Sequence, residues 1–257
     1  MDIFIHVPSC GGTTLWSVLR AATHRRAKRI RAGGVDNNAA ALRELVRSGG
    51  SARLRVAGGH LPVGALDGVD DEARYFTFMR DPTRRLVSDF HRKLRNGKLV
   101  HGEDPDARFL EHVHLTRPAA IRFLTGLDEA RVAEAYDRDS FAREVVDRVR
   151  ERFVFVGFTE AFDDSLLELA DVLGWDKVPS YEPRNQGGNR VEFGADTLAR
   201  ADALLRLEHA VHDALWADFD LRRRRETGGR ALAKGSLAVR NRLRRLRAGG
   251  EHRFVKR

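Results

Sequence analysis

The chain has 257 residues, 42% hydrophobic and 32% charged, which is enough for one α/β domain with a sizeable core and tight for two full domains. Its net charge of +9 belongs to one end: residues 222–257 hold 14 of the 46 Lys and Arg but only 2 of the 37 Asp and Glu, so this tail carries +12 and the other 221 residues −3. Residues 1–221 therefore give no sign of a general nucleic-acid surface, no apolar run approaches the length of a membrane span, and the single Cys excludes an intrachain disulfide.

Ile3, Phe4, Ile5 and Val7 form an apolar run of strand length that Pro8 and Gly11-Gly12 stop. Leu15, Val18, Leu19 and Ala22 then fall on one helix face. The order strand, glycine turn, helix suits an anion, because a helix N-terminus presents unpaired N–H groups and glycines let backbone approach a ligand. Thr13 and Thr14 add hydroxyls there. The spacing is not that of a Walker A loop, and no Lys precedes the threonines. Cys10 can also be read as a nucleophilic thiolate, although Trp16 stands where a loop-closing Arg is needed.

The basic run Arg25 to Arg31 ends at Gly33-Gly34, and Ala39 to Val46 reads as a short helix. Leu54 and Val56 suggest a second strand delivering Gly58-Gly59-His60 at its carboxyl end, where open α/β sheets place ligands. A neutral His60 there can act as a general base; a His hydrogen-bonded in a turn is the other reading. Tyr75 to Met79 is a further buried strand, ended by Arg80-Asp81-Pro82, with Leu86, Val87 and Phe90 opening a helix. The Arg80 fork matches phosphate oxygens, unless it pairs locally with Asp81; Arg84 and Arg85 read as solvated or paired on the helix surface.

From Arg92 to Arg122 the pattern weakens, and Arg92, Lys93, Arg95 and Lys98 form either a patch for an anionic acceptor or a solvated helix end. His112 and His114 lack partners at metal-ligand spacing, so no metal is expected. Asp128–Tyr136 and Ser140–Arg150 read as helices, Phe153–Val156 as a strand, and Asp163 to Leu173 as a helix capped by Gly174. Ser180 to Phe193 reads as a loop long enough to close over a ligand, and Asp196 to Trp216 as one long amphipathic helix. The tail holds a basic, helix-like segment, Ala231 to Arg247, suited to an acidic partner, an anionic membrane surface or nucleic acid. These patterns predict a single α/β domain over residues 1–221, with a mostly parallel central sheet and helices on both faces, followed by the tail 222–257. With a strand starting at residue 3 and no basic leader, a cytoplasmic protein is expected.

Taken together, HVPSCGGTTL at His6–Leu15 and FTFMRDPTRRLVSDF at Phe76–Phe90 resemble the paired signature of sulfotransferases, HIPKTGGT followed by FLRDPxxRxxS. Gly59-His60-Leu61-Pro62 is similar to the family's GHFP, and Phe153–Trp175 to its FVGLTERFDESL segment. The carbohydrate branch, with the heparan sulfate O-sulfotransferases and their bacterial relatives, is the one most resembled. The resemblance implies a P-loop-like phosphosulfate-binding turn, 3′-phosphoadenosine 5′-phosphosulfate (PAPS) as donor, no metal, and sulfuryl transfer to a hydroxyl-bearing acceptor such as an anionic glycan. It implies that His60 is the base, that Ser9, Cys10, Gly11, Gly12, Thr13 and Thr14 hold the 5′-phosphosulfate, that Arg80 and Ser88 hold the 3′-phosphate, and that Arg190 lies beside the nucleotide. Ser9 replaces the family's Lys, and Cys10 its Thr. A nucleotide-binding protein with weakened catalysis is the alternative, since Ser9 carries no charge to steady the leaving group.

Overall fold

A computed structural model describes residues 1–99, 104–183, 191–225 and 232–244. Its centre is a sheet of β1 (Asp2–Ile5), β2 (Ala27–Arg29), β3 (Val56–Gly59), β4 (Arg74–Met79) and β5 (Phe153–Phe158), in the order β2-β3-β1-β4-β5 with every pairing parallel. Ile3–Ile5 and Tyr75–Met79 are buried on both faces, the usual state of a parallel sheet, while the edge strand β5 leaves Val154 exposed. Ile3 and Ile5 face one core, with Leu42, Val145, Val211 and Phe219; Phe4, Phe76 and Phe78 face the other, with Leu15, Leu19 and Leu166.

On the Phe4 side lie α1 (Gly12–Ala22) and α8 (Phe162–Leu173); on the Ile3 side lie α2 (Val35–Arg47), α5 (Pro118–Thr125), α6 (Glu129–Ala135), α7 (Phe141–Arg152) and α10 (Arg206–Arg224). A third cluster joins α3 (Pro82–Arg95), α4 (Pro105–Thr116) and α9 (Ala195–Leu204) through Leu86, Phe90, Phe109 and Ala201. Asp81 starts α3 by accepting the Arg84 N–H at 2.8 Å, with Pro82 in the first turn. The chain leaves β1 toward β2 and β3 on one side and reaches β4 on the other. The β1/β4 boundary is therefore the switch point, where a crevice opens at the carboxyl edge.

Four expectations change. The basic run contains the edge strand β2, and the weakly patterned region holds α4 and α5. The single helix expected over Asp196–Trp216 is two, α9 and α10, broken at Leu205. α10 runs on to Arg224, through the expected boundary after residue 221. Residues 232–244 form a last helix, α11, whose Leu237 is fully buried on the Phe4 side. Its Asn241 accepts from the Tyr181 N–H at 2.8 Å, Lys234 pairs with Asp164 at 2.7 Å, and Arg244 donates to the Ser180 carbonyl at 2.6 Å. Among the described residues, no helix is long and apolar enough to cross a membrane.

Candidate functional site

At the carboxyl edge, β1 hands the chain to His6, and the turn through Ser9 and Gly11 feeds α1. Ser9 (φ 65°) and Gly11 (φ 70°) are both left-handed, a conformation Gly adopts freely and Ser only under strain. Gly12 answers a different need: a Cβ there would lie 1.8 Å from His6 Nε2. The buried His6 ring is thus the floor under the loop, and only glycine lets the helix start against it. Thr13 is exposed and Thr14 buried in the first turn of α1.

His6 stacks between Phe4, at 5.3 Å between ring centroids, and His60, at 4.4 Å. Burial, with the nearby charges of His60 and Arg29, holds the His6 imidazole well below its ordinary pKa. His60 follows β3 and is half-buried, its Nδ1 2.8 Å from the His6 carbonyl. A carbonyl only accepts, so Nδ1 carries the proton and Nε2 is left with a lone pair. Burial lowers the His60 pKa against the opposing effect of that hydrogen bond, and the charges of Arg29 and Arg92 add to the lowering. His60 is therefore neutral near pH 7, with Nε2 ready to accept a proton. Buried Asn38 fixes it from behind, donating to the His60 carbonyl at 2.9 Å and accepting the Ala32 N–H at 2.6 Å.

Cys10 is buried in the core, its Sγ 3.7 Å from the Pro8 carbonyl, and burial pushes the thiol up to about 12. The thiolate reading is overturned: no ionised sulfur is present at neutral pH. Arg80 is half-buried after β4 and reaches the Ser9 carbonyl at 3.4 Å. It has no carboxylate partner among the described residues, and Asp81 is occupied as the cap of α3, so the local ion pair is not formed. Ser88 is half-buried two turns into the same helix. Arg190 lies outside the described residues.

Two features were missed in the sequence. Buried Asp89 accepts the Ser9 hydroxyl at 3.1 Å and a hydrogen bond from Arg92 on Oδ1, while Lys93 and His112 each lie 3.3 Å from Oδ2. Burial alone raises a carboxyl pKa, yet the hydrogen bonds from His112 and Arg92 and the charges of Arg92 and Lys93 hold Asp89 far below the carboxylate range. Of the four basic residues read as a patch or a solvated helix end, Arg92 and Lys93 are tied through Asp89 to Ser9 of the loop, while Arg95 and Lys98 are exposed.

The second is Arg85, expected on the surface but 4% exposed. It lines an open pocket with Cys10, Arg80, Leu124 and Glu208. Arg85 Nη2 and Glu208 Oε1 are both buried without a hydrogen-bond partner among the described residues. Tyr136 donates to the other Glu208 oxygen, and burial pushes this carboxyl up to about 7. Among the described residues, no group of three or more His, Cys, Asp or Glu is placed to hold a metal ion.

Comparison with known proteins finds no matching family model and no matching curated protein. Among solved structures, the chain is similar to a sulfotransferase from Alicyclobacillus acidocaldarius, with a TM-score of 0.45 and 15% identity over 82% of this chain and 95% of that one. It is also similar to mouse sulfotransferase SULT7A1 complexed with PAP, with a TM-score of 0.35 and 18% identity over 79% of this chain and 64% of that one.

Proposed function

We propose that the protein is a sulfotransferase using PAPS as donor and a hydroxyl of a carbohydrate or another small molecule as acceptor. The observation that carries this reading is the convergence, on one sheet edge, of a glycine loop opening a helix, an Arg80 without a carboxylate partner among the described residues, and a neutral His60 with its Nε2 lone pair available. The residues fit a nucleotide with two anionic ends. Amides of the loop and the start of α1, with the hydroxyls of Thr13 and Thr14, would hold the 5′-phosphosulfate; Arg80 and Ser88 would hold the 3′-phosphate.

Bound there, PAPS supplies an activated sulfuryl group. His60 Nε2 would accept the proton of the acceptor hydroxyl as its oxygen bonds to sulfur and the bond from sulfur to the nucleotide's phosphate oxygen breaks, and the His6 carbonyl would stabilise the imidazolium through the Nδ1–H. The role of the missing Lys falls to Arg92: Asp89 holds its guanidinium beside Ser9, and its charge is felt at His60. Ser9 itself favours a second reading, nucleotide binding without turnover, because its hydroxyl is already committed to Asp89.

Calorimetry with the desulfated nucleotide, PAP, tests the donor site. PAP is expected to bind much more tightly than adenosine 5′-phosphate, and Arg80→Ala to erase most of the difference. Equal affinity for the two nucleotides removes the proposed 3′-phosphate site.

A further inference from the structure

We propose that Arg29 forms an anion subsite beside the base, so that the acceptor carries a carboxylate or sulfate group close to the hydroxyl that His60 deprotonates. This inference rests on the sulfotransferase reading for the word acceptor, but the subsite stands on its own geometry.

Arg29 is the last residue of β2 and pairs with Gly58 of β3, and the next residue continues the ladder, with the Ile30 N–H 2.8 Å from the Gly58 carbonyl. His60 leaves β3 two residues later. The base and the cation therefore leave adjacent strands at one edge, roughly 4.8 Å apart in strand spacing. Asn38 keeps them in register, since it grips the Ala32 amide on the β2 side and the His60 carbonyl on the β3 side.

The guanidinium is uncompensated. Arg29 Nε is buried without a hydrogen-bond partner, and the side chain makes no ion pair, among the described residues. Neighbouring Arg31 is exposed and adds positive charge to the same rim. Asp89, a carboxylate felt at His60, is already bonded to Ser9 and Arg92. An unpaired, partly desolvated guanidinium at a ligand edge is satisfied by an anion from outside.

Strand order decides which ligand carries the anion. Reading across the edge, Arg29 is on β2, His60 follows β3, the glycine loop follows β1, and Arg80 follows β4. The donor groups lie on one side of His60 and Arg29 on the other. An in-line transfer places donor and acceptor on opposite sides of the moving group, so Arg29 faces the acceptor.

The test follows the His60 imidazole by NMR during titration with acetate, a carboxylate fragment, and with methyl sulfate, a sulfate-ester fragment, against chloride at constant ionic strength. At least one fragment is expected to give a saturable shift. Arg29→Gln should weaken it by about tenfold or more, as expected for loss of a charge-assisted contact. Arg29→Lys should retain part of it, and Arg80→Ala all of it. Which fragment saturates tells carboxylate from sulfate ester. A saturable response unchanged in Arg29→Gln, or none with either fragment, overturns the subsite. Because PAP affinity is measured separately, loss of the subsite with intact PAP binding refutes this inference alone, while an Arg29-dependent shift without PAP binding refutes the sulfotransferase reading alone.

Discussion

The Ser9 hydroxyl donates a 3.1 Å hydrogen bond to Asp89, which lies 80 residues away and also gathers Arg92 and Lys93. A loop that lacks its own cation has thus been joined to a carboxylate that gathers two. If Arg92 supplies the missing charge, Arg92→Met should lower kcat by roughly two to three decades, the range for losing one such stabilising group, with PAP affinity little changed. Ser9→Lys on that background should restore much of the loss. Single-turnover rates with labelled PAPS decide it: an unchanged rate in Arg92→Met removes Arg92 from the reaction.

The hydrogen bond from His60 to the His6 carbonyl predicts a particular pH profile. Only neutral His60 can accept the proton, and its folded pKa lies below 6.5, so kcat/KM should be flat near pH 7 and fall on the acid side only below 6.5. His60→Ala should cost about 10²- to 10⁴-fold and abolish that acid limb. A limb that persists in the variant would assign the base elsewhere.

Gly12 and His6 should behave as a coupled pair. Gly12→Ala drives a methyl into the His6 ring, so the loop must shift; a loss of about 1–3 kcal/mol and of PAP affinity is expected. His6→Ala opens the space. In a double-mutant cycle read by thermal unfolding and PAP calorimetry, the combined variant should lose less than the sum of the two single variants. Simple additivity would show that the contact does not restrict residue 12.

Glu208 gives a stability test with a definite sign. Its folded pKa of about 7 stands above the unfolded value of 4.5, so folding favours the neutral form. That contribution is full below pH 4.5 and is lost as pH rises through 7, at roughly 1.4 kcal/mol for each pH unit crossed between the two values. Glu208→Gln keeps the group neutral and lets Tyr136 still donate. Urea unfolding should show the variant gaining on the parent protein between pH 5 and pH 8; a pH-independent difference would mean that Glu208 titrates normally.

Much of the sheet was legible because strands packed between helices are mainly apolar, as Ile3–Val7, Tyr75–Met79 and Phe153–Val156 are, with His6 and Thr77 their polar members. β2 was not: it has three residues, two of them Lys28 and Arg29, and is a strand only because β3 lies beside it. α4 was hidden in the weakly patterned stretch after Arg92, where Asp104 and Pro105 are a cap and a first-turn residue. The α9–α10 break has neither Gly nor Pro to mark it. In the site, His60 and Arg80 were visible because they directly follow strands. Asp89 and Arg85 were not, since a charged residue on a helix is ordinarily solvated and only tertiary contact reveals what buries it. Arg29 lay in plain view within a basic run, and its lack of a carboxylate partner among the described residues shows only in three dimensions.

α11 changes what the basic end of the chain is. A segment that reads as an appendage is in part a brace: α11 grips Val178, Ser180 and Tyr181 through Arg240, Arg244 and Asn241, and Tyr181 bonds Asp163 at the start of α8. Cutting the chain after residue 221 would therefore remove three residues of α10 and a clasp on the strap that leads toward residues 184–190, mixing lost charge with lost architecture. A truncation after Arg244 leaves that clasp whole, and is the cleaner way to ask what the remaining basic residues attract.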